Sequence, residues 1–159
     1  MANCREYRNL LYSIIDYLTV QLTADGWSGI SVVKGFTQAY ETPLPCIAIE
    51  VAETNSEIIG KEIGSTAYLE NIPVSIRIFE KKEELRKDLA NWLATKIMPG
   101  LSYYEYTITD GSVSGKDLAG RVVILRVIDN RKELSNLENL AEEDRYRHLF
   151  SFSCRIALS

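Results

Sequence analysis

The residues best suited to chemistry lie in a few places. Gly111-Ser112-Val113-Ser114-Gly115-Lys116 resembles a phosphate-binding loop, in which backbone amides and a lysine cradle phosphate oxygens. The spacing fails that test. The spacer is one residue short, and Asp117 stands where a serine or threonine would hold magnesium. Asp110-Gly111 reads as a turn, so residues 110–120 are expected to be a Gly- and Ser-containing connection between two strands. The single histidine, His148, sits beside the last expected strand. Cys154 and several serines exist, but no spacing favours a Ser-His-Asp or Cys-His arrangement. His148 therefore reads as a surface or subunit-contact residue.

Charged clusters give the same answer. Glu133, Glu138, Glu142, Glu143 and Asp144 are mixed with Arg131, Lys132, Arg145 and Arg147 and lack calcium-loop spacing. Lys81, Lys82, Glu83, Glu84, Arg86, Lys87 and Asp88 surround a helix start, with Glu83 and Lys87 as a favourable i,i+4 pair. Both clusters read as solvated faces. Cys4, Cys46 and Cys154 are odd in number and widely spaced, which suits neither a disulfide framework nor a zinc site. They read as small hydrophobes in a reducing compartment. No catalytic residue, cofactor or metal is expected, and the chain does not read as an enzyme.

The elements around these residues follow from periodicity. Residues 4–22 form an amphipathic pattern on Tyr7, Leu11, Ile14 and Leu18, with Asn3 and Glu6 as a capping box and Asp25-Gly26 as a stop. A short strand is expected over 30–36, and a second carries Ile47, Ile49 and Val51 on one face. Residues 53–68 read as a long polar loop. Ile72, Val74, Ile76 and Ile78 alternate with polar or small residues, the period of a half-buried strand. Leu85, Leu89, Trp92, Leu93 and Ile97 then recur at helical spacing, and Met98-Pro99-Gly100 ends that helix. Tyr104, Tyr106 and Ile108 alternate in another strand, which turns Tyr103 outward or into an interface. Residues 121–128 are apolar on both faces, as in a strand covered on both sides. Residues 131–147 are a charged insertion, and 149–158 alternate strongly.

This order predicts an α+β fold: an antiparallel or mixed sheet with two main helices packed on one face. The 159 residues suit one domain, 1–159, and the 46% apolar and 25% charged content suits a globular chain. The longest apolar runs fall short of the ~20 residues that cross a bilayer. The N-terminus lacks the apolar core of a secretory signal, so a soluble cytosolic chain is expected. A net charge of −4 argues against general nucleic-acid binding, which needs a basic footprint, but suits a passage through which DNA slides.

With that order in place, the chain resembles the tail terminator (tail completion) proteins of tailed bacteriophages. The resemblance rests on the helix at 4–22, Pro43-Leu44-Pro45 leading into the strand Cys46–Val51, and the loop containing Gly60-Lys61-Glu62-Ile63-Gly64. The unit Ile72–Ile97 and the C-terminal strands complete it, whereas the insertion at 131–147 has no counterpart. It implies a homohexameric ring at the neck of the virion tail, assembled in the host cytoplasm. The implied partners are copies of itself, the tail tube protein and a head completion or neck protein. Genome DNA passes through without specific binding, and no membrane is involved. Candidate interface residues are Glu57, Ile58, Ile59, Lys61, Tyr103, Arg131, Lys132, Glu142, Glu143, Arg145 and His148. The alternatives are another neck or head-tail joining protein, a small enzyme built around His148, or an adaptor domain.

Overall fold

The computed structural model of the protein describes residues 5–52, 55–58, 68–133 and 146–159, with 55–58 and 68–70 described as backbone only. The elements in chain order are α1 (Glu6–Ala24), β1 (Ser31–Lys34), α2 (Phe36–Ala39), β2 (Cys46–Val51) and β3 (Asn55–Ile58). They continue with β4 (Tyr68–Phe79), α3 (Glu83–Ile97), β5 (Leu101–Thr109), β6 (Ser112–Glu133) and β7 (Arg147–Leu158). Six strands follow the order β1-β2-β4-β7-β6-β5, and β3 pairs with the N-terminal end of β4. Among the described pairings only β1–β2 is parallel. The α+β class is as the sequence predicts.

Helices α1 and α3 share one core with the sheet. Leu10, Ile14, Leu18 and Leu22 of α1 and Leu89, Leu93 and Ile97 of α3 are buried against Ile47, Ile49, Ile72, Val74, Ile76, Ile78, Phe150 and Phe152. Alternation in β4 and helical spacing in α3 thus serve the same core, as expected. The junction between them is tied down by polar bonds. The Glu80 carboxylate accepts the Lys82 N–H (3.1 Å), and buried Arg86 donates to the Glu80 carbonyl (2.9 Å). Trp92 differs from the expected core position. It lies half-buried at the margin, edge-on to Trp27, and its Nε1–H donates to Asp25 (2.8 Å).

Helix α1 packs on β1 and β2 at one end of the strand order and on β5 at the other. Six strands laid flat would separate those ends by roughly 24 Å, twice a helix diameter. One stretch of helix touches both, because the sheet curls. Tyr12 lies 5.7 Å from Lys34 Nζ of β1 and 5.4 Å, ring to ring, from Tyr106 of β5. Along β5, α1 also replaces a missing strand partner. Ser13 Oγ accepts the Tyr104 N–H (3.0 Å), Asn9 Oδ1 accepts the Tyr106 N–H (3.2 Å), and Arg8 donates to the Tyr106 carbonyl (2.8 Å).

Several sequence expectations change. Asn3 lies outside the described residues, and α1 has Arg5 at its N-cap with no side-chain cap bond. Residues 55–58, expected within a loop, pair with β4 as β3. Residues 112–120, expected in a connection, belong to β6. Asp110 and Gly111, both at positive φ (51° and 79°), make the whole turn, the conformation two-residue hairpins need. The 121–128 stretch is not covered on both sides, because Leu125, Val127 and Ile128 are exposed. Gly120 marks where β6 passes from β5 to β7, and a Cβ there would collide with the Ala157 carbonyl oxygen.

The bond from Asn9 to β5 is buried, with Asn9 only 4% exposed. Removing an acceptor from a buried N–H costs about 1–3 kcal/mol. Asn9→Leu is therefore expected to lower unfolding free energy by about that amount in a urea melt, and Val20→Ala, at an exposed site on the same helix, by less than about 0.5 kcal/mol.

Candidate functional site

The sheet has two faces with different fates. The inner face holds the core. Among the described residues the outer face is covered only near β1, β2 and the end of β4, where Ala39, Cys46, Ala48 and Phe79 form a small buried cluster with Val33, Phe36 and Leu44. Beyond it the outer face of β6 and β7 carries charge. Glu133 accepts from Arg77 (3.0 Å) and lies 2.7 Å from Arg147, while the Arg77 guanidinium stacks 3.9 Å from the Phe36 ring centre. Arg131 pairs with Asp129 (3.4 Å) and stands in solvent.

Strand β6 is the unusual element. It pairs with β5 over 112–122 and with β7 over 120–133, so the two pairings overlap by only three residues. Among the described residues, its edge on the β7 side is open over 112–118 and its edge on the β5 side over 123–133. Half of the exposed large apolar side chains of the described residues sit on this one strand. They are Val113 and Leu118 beside the first open stretch, and Leu125, Val127 and Ile128 on the second. Leu125 and Ile128 have no cross-strand partner, because the ladder to β7 shifts register at each. These are β-bulges, and they turn out side chains that plain alternation would have paired.

The sequence-predicted interface residues are scattered. Ile59, Lys61, Glu142, Glu143 and Arg145 lie outside the described residues. Glu57 and Ile58 are on β3, paired with Leu69 and Tyr68. Arg131, Lys132 and His148 do come together at one end of the β6–β7 ladder, with Lys132 opposite His148. They occupy different faces, since Arg131 pairs with Leu149 on the outer side. Tyr103 is a correction: it is buried, 1% exposed, not turned outward. Leu101 and Tyr103 alternate into the core, the unpaired residue of the register shift beside Tyr103 being Ala119 of β6, and α1 lies along this strand, so Tyr106 is enclosed as well. Burial raises the Tyr103 phenol, and burial together with the Asp16 carboxylate raises that of Tyr106, whose hydroxyl donates to Asp16 (2.6 Å). The exposed apolar residues at 125 and 128 escaped the sequence reading, because bulges leave no mark on periodicity.

No arrangement for nucleophilic catalysis emerges among the described residues. Cys46 and Cys154 are buried, and desolvation pushes their thiols up to about 11 and about 12, away from the reactive thiolate. Residues 111–116, which echo a phosphate loop, are a turn and an extended strand and open no helix. An open cleft of about 450 Å3 between α1 and β1–β2 holds Tyr7, Arg8, Tyr12, Lys34 and Glu50, with no nucleophile beside a base. Among the described residues no group of three His, Cys, Asp or Glu could hold a metal ion. No described helix is long and apolar enough to cross a membrane.

His148 is half-buried with Nε2 2.6 Å from Asn130 Oδ1. Burial lowers its pKa below 6.5, the nearby Arg86 lowers it further, and Glu133 opposes them. The unfolded chain therefore takes up a proton near pH 6.5 that the folded chain refuses until lower pH, so stability falls on acidification through that window. His148→Gln is expected to flatten the dependence of thermal midpoint on pH below about 6.5 while leaving the neutral-pH midpoint within a few degrees. An unchanged acid slope in the variant would assign the loss to carboxylates instead.

No protein-family model and no curated protein sequence matches this chain.

Proposed function

We propose that the chain is a structural ring subunit of the phage tail terminator type. It forms a homohexamer that caps the tail tube, joins it to a head completion or neck protein, and lets genome DNA pass through its opening. The observation that carries this reading is the offset of β6. An open strand edge is a template for another strand, through main-chain hydrogen bonds. Here the two open edges lie at opposite ends of one strand and on opposite sides of it. A contact that joins one edge to the other in a neighbouring copy is head-to-tail, and head-to-tail contacts generate closed rings when the rotation permits. Exposed Leu118 (65%) near one edge and Ile128 (45%) at the other supply apolar surface for such a contact.

The enzyme reading has less behind it. His148 does not line the cleft between α1 and β1–β2, and that cleft brings together two cations, a carboxylate and tyrosines. An adaptor working as a monomer would leave the apolar stretch of β6 without an occupant. Exposed apolar surface of this kind marks interaction sites.

Leu118→Glu with Ile128→Glu tests the ring. Both sites are exposed, so each change is expected to alter stability by no more than about 0.5 kcal/mol. The unaltered chain is expected to reach hexamer mass by light scattering, alone or when tail tubes are present, and the double variant to stay monomeric. Electron microscopy of particles is expected to place one ring at the head-proximal end of the tail. A chain that remains monomeric and never joins a ring in the assembled particle would sink this reading.

A further inference from the structure

We infer that the outer face of the β6–β7 ladder is a phosphate-backbone contact surface for double-stranded DNA, read without regard to base sequence. Six arginines share this face: Arg77, Arg121, Arg126, Arg131, Arg147 and Arg155. Their placement depends on the bulges. Arg121, Arg126 and Arg131 are five apart, an odd step that strict alternation would send to opposite faces. Each step contains one unpaired residue, Leu125 or Ile128, which restores the face. The cross-strand partners Ala157, Ser153 and Leu149 are accordingly every fourth residue of β7. Arg155 and Arg147 rise from β7 itself, and Arg77 from β4 opposite Leu149.

Charge on this face runs against the rest of the chain. On β6 and β7 themselves this face carries five of those arginines and two carboxylates, Asp129 and Glu133. The ladder's share of the face therefore sums to +3 and the remainder of the chain, at −4 overall, to −7. Arg126 and Arg155 are exposed, and among the described residues no ion pair engages either. Ser151 and Ser153 form a low floor between the arginines. From Ala157 to Arg147 the face runs roughly 34 Å, about one turn of B-form DNA. A polyanion suits such a face, because neutralised phosphates release counterions and that release drives binding.

The inference rests on the ring reading only for the source of its DNA, the genome proposed to pass through the opening. Its test stands apart from assembly. The full-length chain is titrated onto a labelled mixed-sequence duplex at about 20 mM salt, and the titration is repeated as salt rises. Binding is expected to fall steeply with salt and to be competed equally by an unrelated duplex. Arg126→Ala with Arg155→Ala is expected to weaken it about tenfold or more and to reduce the logarithmic salt slope by about 2. Lys87→Ala, an exposed change on α3, serves as control and is expected to leave binding unchanged. Absence of binding at low salt, or equal weakening by the control, overturns the inference. So does a double variant that keeps its DNA affinity but loses association with other copies, which would make the face a protein contact. A ring that forms without binding DNA removes this inference alone. DNA binding by a chain that never forms a ring removes only the ring reading.

Discussion

The docking of α1 along the outer edge of β5 is the contact from which the rest of the architecture follows. A strand with one bare edge exposes a row of amides that must find acceptors. Here Asn9 and Ser13 supply them from a helix, and Tyr12 between Lys34 and Tyr106 holds the other end of the sheet within reach. Once α1 sits in that gap the sheet has to curl, and the curled sheet encloses α3 on the same side. The core then has a single interior. The outer face is left over, free to carry charge, because both long helices are already committed to the inside.

The sequence revealed the parts whose physics is local. Period-2 alternation in Ile72–Ile78 and the helical stripe through Leu89 and Leu93 each report burial by one face, and both were legible. The same holds for the ends of α1 and α3, marked by Asp25-Gly26 and by Gly100 at positive φ. What escaped depends on register between distant strands. Tyr103 looked exposed because alternation was counted from Tyr104, yet the core takes the face of Leu101 and Tyr103, and a helix on the strand's edge buries Tyr106 too. The true length of β6 was hidden for a related reason. Ser112–Leu118 has almost no apolar alternation, and it is extended because it pairs with β5, not because of its own composition.

The candidate surface was the least legible part. Arg131, Lys132 and His148 were named from sequence and do cluster, but on two faces of the ladder. Arg121, Arg126 and Arg155, the arginines of the outer face without described ion pairs, were not named, since none stands in a charge run. Bulges also have a plain protective use: they twist an edge away from unwanted pairing, and charges beside them do the same. That use accounts for Arg126, Asp129 and Lys132 along the open edge over 123–133. It does not account for Leu125 and Ile128, since exposed leucine and isoleucine on an open edge invite association instead of preventing it. An edge that combines deterrent charges with apolar side chains is selective: a partner must satisfy both.

Selectivity of that kind also reconciles the acidic chain with a basic face. Net charge describes long-range attraction and solubility of the whole molecule. Contact with a polyanion is decided within about a Debye length, near 10 Å at ordinary salt, where only the nearest side chains count. Within that distance the β6–β7 face presents guanidinium groups, whose planar donors suit phosphate oxygens better than an ammonium does. The surplus of −7 elsewhere gives the rest of the subunit no general attraction for DNA. A subunit so divided would orient itself on a duplex without reading any base. The two bulges that expose Leu125 and Ile128 are the same two that bring Arg121, Arg126 and Arg131 to one side. The same two irregularities in the β6 ladder therefore set both the apolar edge proposed to meet a neighbouring copy and the charged face proposed to meet DNA. The placement of the two surfaces is not independent: a change that removed a bulge would shift register, turning arginines inward and drawing the apolar residues back into the ladder together.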